Sequence, residues 1–128
     1  MKKTILLILI LSVSFITKVN SQNLKKDCEF YKVTTYLLTA ISSLDDVKND
    51  NLEKGKALPI IKANITKIDN AYNLIKEQYK NDVDFKEFEL WVKGISVSYN
   101  KLKEDDAMWQ MSYYLIKLNV IDFVNQKY

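Results

Sequence analysis

Residues 58 to 79 carry apolar or aromatic side chains at Leu58, Ile61, Ile65, Ile68, Tyr72, Ile75 and Tyr79, separated by alternating steps of three and four. Such spacing lines every one of them along a single stripe of an α-helix, about 30 Å long at 1.5 Å per residue. Pro59 has no N–H to donate and fits a first turn, so this helix is expected to begin near residues 55–58. A second stripe follows at Phe85, Phe88, Val92, Ile95, Tyr99 and Leu102, with Asp84 and Glu87 spaced as a capping box at its start. Upstream, Leu24, Cys28, Tyr31, Thr35 and Leu38 form a row that Phe30, Val33, Leu37, Ile41 and Leu44 broaden. A fourth helical stretch runs from about Asp106 to Val124. The breaks at 45–51, 80–84 and 103–106 are short and polar, which favours antiparallel neighbours. The pattern therefore predicts an all-α chain folded as an antiparallel up-down-up-down four-helix bundle.

The fourth stretch departs from the single-stripe rule. Of the 18 residues from Ala107 to Val124, 13 are apolar, and they fall on two faces. Ala107, Met111, Tyr114, Leu118 and Ile121 make one; Trp109, Tyr113, Ile116, Val120 and Phe123 make the other, roughly opposite. Gln110 and Lys117 separate them on one side, Ser112, Asn119 and Asp122 on the other. A surface helix needs only one apolar face. Either this helix lies deep with neighbours on both sides, or its aromatic face is left for another protein. Burying five such side chains yields about 7–15 kcal/mol gross at 1.5–3 kcal/mol each. Association takes several kcal/mol of that, which leaves room for micromolar binding.

Ahead of the helices stands a segment with the three parts of a secretory leader. Lys2 and Lys3 precede an apolar core, Ile5 to Ile16, and Val19 and Ser21 occupy the −3 and −1 positions of a small-residue cleavage site. The apolar run is shorter than the ~20 residues a membrane span needs. The expectation is a cleaved signal peptide over residues 1–21, a single helical domain over 22–128, no stable membrane anchor after cleavage, and a periplasmic or secreted destination. Cleavage changes the charge. The 19 basic residues are all lysine, and losing Lys2, Lys3 and Lys18 leaves 16 against 16 acids, a neutral product. A nucleic-acid binder needs a net basic footprint and usually arginine, so nucleic acid is not an expected partner.

Cys28 is the single cysteine and cannot close an internal disulfide. Lys25, Lys26 and Asp27 stand where a lipid-attachment motif needs small apolar residues, and no histidine is present to activate a thiolate. Sharing a row with Leu24 and Tyr31, Cys28 reads as a small buried hydrophobe. The lack of histidine also removes the commonest general base and the usual zinc and haem ligands. Neither a Gly-rich phosphate loop nor a nucleophile motif occurs. Only a carboxylate pair among Asp45, Asp46, Glu104, Asp105 and Asp106 remains for catalysis. No cofactor, no metal and no enzymatic activity are expected.

In the predicted topology those acids gather at one pole, either as helix caps and solvated loops or as a contact for a basic partner surface. The functional expectation is an exported, non-enzymatic bundle that binds a protein partner or pairs as a homodimer. An inhibitor or immunity protein against an envelope-acting toxin or enzyme fits that size and compartment. Trp109, Tyr113, Ile116, Val120 and Phe123 are its expected anchors, with Glu104, Asp105 and Asp106 beside them. The alternative is a periplasmic carrier of a small apolar ligand or lipid held between the helices.

Overall fold

The structure, a computed structural model, describes residues 26–127. The proposed leader and its cleavage site lie outside the described residues. Within them the chain is all-helical, with no strand: α1 (26–48), α2 (Lys54–Tyr79), α3 (Val83–Lys103) and α4 (Trp109–Lys127) form a helical bundle. The packing between helices described below lies within residues 32–127.

Helix ends are set by aspartates. Asp50 and Asp105 take the left-handed backbone conformation, with φ of 57° and 59°. A short polar side chain tolerates that region better than most. Beyond each, an amide reaches back five residues to cap the helix: Asn51 N–H to the Asp46 carbonyl at 2.8 Å, and Asp106 N–H to the Lys101 carbonyl at 2.9 Å. At the start of α3 the cap is Asp82, two residues earlier than the expected Asp84. Asp82 has extended backbone, so its side chain accepts from the amides of Asp84 and Phe85 at 2.9 and 3.3 Å. Helix α2 starts at Lys54, which puts Pro59 in its second turn rather than its first. The missing donor falls opposite the carbonyl of Gly55.

The predicted stripes face inward. Ile61, Ile68 and Ile75 of α2 are buried, as are Phe85, Phe88, Val92, Ile95 and Leu102 of α3. Helix α3 packs on both α2 and α4. Tyr72 stacks on Phe85 with ring centres 5.0 Å apart. Phe88, Trp91 and Phe123 meet edge to face at 5.2 to 5.5 Å, the arrangement their quadrupoles favour. Lys54 at the start of α2 reaches the Lys103 carbonyl and the Asp105 carboxylate at the end of α3. At the far end Lys127 of α4 pairs with Asp84 of α3 at 3.1 Å.

In α1 the buried row is Val33, Leu37, Ala40, Ile41 and Leu44. Cys28 is exposed, against the expectation of a packed thiol. At 100° per residue it lies roughly 140° around the helix from that row, so a shared stripe with Leu24 and Tyr31 (itself 56% exposed) does not take it inside.

Gly94 explains how closely α4 approaches α3. A Cβ at this position would overlap Ile116 Cδ1 and stand 3.1 Å from Cγ1. Gly94→Leu is expected to cost about 2 kcal/mol through overpacking, read as a lower urea midpoint with unchanged slope.

Candidate functional site

Helix α4 carries most of the expected site, and the structure turns it the other way round. Trp109, Tyr113, Ile116 and Val120 are all buried, at 7%, 0%, 7% and 0% exposure. Phe123 is half-buried against Phe88 and Trp91. The aromatic row assigned to a partner is thus the row the bundle packs on itself. Met108, Met111, Tyr114, Leu115, Leu118 and Ile121 point outward, each between 37% and 59% exposed. Nor does α4 lie deep between neighbours: one of its two apolar faces is covered and the other is open.

The physical reason for the choice of face lies in the neighbours. The Gly94 notch receives Ile116, and the Phe88–Trp91 edge receives Phe123. Trp109 stacks on Tyr113 at 5.4 Å. Bulky rigid rings fill that interior, while the unbranched, adaptable methionines fall outside.

A polar clasp fixes the same orientation. Tyr113 donates its hydroxyl proton to Asp45 Oδ1 at 2.9 Å, and Lys117 Nζ donates to Asp45 Oδ2 at 2.6 Å. The polar break at 45–51 puts Asp45 in a loop by sequence; it lies instead on α1, where it ties that helix to α4. Burial, then the hydrogen bond and negative charge of Asp45, push the Tyr113 phenol above its ordinary range. The folded protein thus keeps a proton that an unfolded tyrosine releases near pH 10. Its stability contribution is complete below about pH 10 and declines as pH rises beyond it. Urea midpoints followed into that alkaline range are expected to fall less steeply in Tyr113→Phe than in the parent.

The acids Glu104, Asp105 and Asp106 occupy the α3–α4 junction. Glu104 is the C-cap of α3 and its side chain is exposed. Asp105 is the left-handed residue that pairs with Lys54. Asp106 accepts from the Met108 amide at 2.9 Å, leading into α4, and its other oxygen lies 3.7 Å from Lys101. Two of the three thus have intramolecular work as caps and ion pairs. Sequence reasoning passes over Met108, Leu115 and the Asp45–Lys117 pair; the Asp45 link, spanning 72 residues, leaves no local spacing signal.

An open cleft of about 300 Å³ runs beside Asp84, Glu87, Trp91 and Phe123. A second, bordered by Tyr36, Lys67 and Leu74, is shallower and more open to solvent. Among the described residues no group of three or more acids or cysteines is placed to hold a metal ion, and no helix is long and apolar enough to cross a membrane. The chain matches no family model, no curated protein and no solved structure.

Proposed function

We propose that this chain is an exported, non-enzymatic binding protein whose outward α4 face docks on another protein surface. In this reading residues 1–21 are a cleaved leader, the mature chain is an up-down-up-down bundle in the periplasm or outside the cell, and its role is that of an inhibitor or immunity protein. One observation carries the reading: Met108 just before α4, and Met111, Tyr114, Leu115, Leu118 and Ile121 along it, lie open to solvent, with Asp122 the charged residue at the edge of the face. Contiguous exposed apolar surface of this kind marks interaction sites on soluble proteins. Methionine and tyrosine suit the task, the first by adapting its shape and the second by offering a large rigid face. The anchors are the outward residues, in place of Trp109, Tyr113, Ile116, Val120 and Phe123. The acids Glu104, Asp105 and Asp106 stand in the turn before the start of the face.

A photoreactive amino acid at position 118, in protein produced in cells from its own leader, tests this. The expected result is a discrete crosslinked adduct at position 118 and none at position 74, where Leu74 is 86% exposed on α2. Equal labelling at both positions, or none at either, would contradict it.

A further inference from the structure

The open face of α4 has an order that a merely greasy patch lacks. Met111, Tyr114, Leu118, Ile121 and Asn125 follow at steps of three, four, three and four, and every one is exposed. That is the a/d seam of a coiled coil, turned away from the bundle. From the reading that this face is docked, we infer that its occupant is the same seam of α4 in a second copy, the two helices running parallel about a two-fold axis.

Three features favour a second copy over an unrelated helix. The seam is uncharged, so nothing on it repels its own image. Lys117 and Asp122 flank it on opposite sides, five residues apart and of opposite sign. In a parallel pair those two flanking positions face each other across the interface; Lys117 already pairs with Asp45 of its own chain at 2.6 Å, so Asp122 of the second copy would join that pair from the outer side, twice by symmetry. An antiparallel pair sets Lys117 beside its own side of the seam and loses this match. Finally, Asn125 sits at a seam position, where a single asparagine facing its copy fixes register in parallel two-stranded coils.

The area fits a small, reversible pairing. Six half-exposed apolar side chains leave about 500 Å² per copy, so a symmetric pair that covers them fully buries about 1,000 Å², the lower bound for a biological interface. The helices are already formed and held by the bundle, so two heptads need not meet the cost of helix nucleation. Lys48, exposed and resting its ammonium 5.3 Å from the Tyr114 ring centre, can shift aside as the faces meet. A foreign protein seated on the same face would have to displace the second copy.

Sedimentation equilibrium of the purified protein over a micromolar range, with two variants, decides the matter. The parent is expected to reach twice the monomer mass. Leu118→Glu, which places like charges face to face, is expected to weaken pairing at least about a hundredfold with unchanged far-ultraviolet circular dichroism. Ile121→Cys in a Cys28→Ser background is expected to form a 121–121 disulfide on mild oxidation, because the parallel register sets the two side chains opposite each other. A parent that stays monomeric, a Leu118→Glu variant that pairs as well as the parent, or a dimer without the 121–121 bond would each overturn the inference. A monomeric parent whose position 118 still crosslinks to a different protein in cells ends self-pairing and keeps the docking reading; a monomer with no adduct removes both.

Discussion

Trp109→Ala combined with Tyr113→Ala is expected to abolish cooperative folding at room temperature. Each ring is buried, and they stack on one another. Large aromatic-to-alanine changes in a core cost about 3–5 kcal/mol each. The two sites touch, so the costs do not add simply; even so, a combined loss of about 6–8 kcal/mol matches the whole stability of many small domains. Tyr113→Ala also strips the donor that Asp45 Oδ1 accepts from. Near-ultraviolet circular dichroism should show no aromatic signal and calorimetry no sharp transition. Met111→Ala with Leu118→Ala, the same operation on the opposite face, should leave the melting curve of dilute protein close to the parent's, because surface changes stay within about 0.5 kcal/mol each. Loss of a partner in the first double variant would report unfolding rather than a missing contact.

Phe88→Ala is expected to be the most damaging single truncation outside α4, at about 3–5 kcal/mol. Phe88 is 1% exposed and meets both Trp91 and Phe123 edge to face, so its removal opens a cavity and takes one of the ring contacts from each of them. The expected readout is a lower urea midpoint with the slope unchanged, a destabilised but still two-state protein. Leu90→Ala, two residues along the same helix and 67% exposed, should barely move it.

The helices are legible in the sequence because α2 and α3 repeat one apolar stripe at helical spacing, and a stripe needs nothing beyond the chain to identify its inner face. Breaks between them are legible for a similar reason: Asp50, Asp82, Asp105 and Asp106 are residue types that end or begin helices. Their exact roles are not. Asp84 carries the capping-box spacing with Glu87, yet Asp82 has the extended backbone that lets a side chain turn back on the amides. Cys28 shares a row with Tyr31, but the row that α1 buries is set by Val33, Leu37, Ala40 and Leu44, on the other side of the helix.

The two faces of α4 are the harder problem. Both are apolar, and polar residues separate them symmetrically, so hydropathy alone cannot say which turns inward. The decision comes from outside the helix: space at Gly94 for Ile116, an aromatic edge at Phe88 and Trp91 for Phe123, and an acceptor at Asp45 for Tyr113 and Lys117. Each is a long-range pairing that leaves no mark on local spacing. Large aromatics hint at interface anchors and at cores alike; here the core has them.

Hydroxyl-radical footprinting of residues 108–121, in dilute purified protein and again in intact cells, shows which face of α4 is inside and whether the other is covered. In dilute protein Met108, Met111 and Leu118 are expected to oxidise readily while Trp109 and Tyr113 are protected, and in cells the methionines and Leu118 are expected to become protected as well. Trp109 oxidising as fast as Met111 in the dilute protein, or Met111 and Leu118 staying as reactive in cells as in isolation, would contradict it.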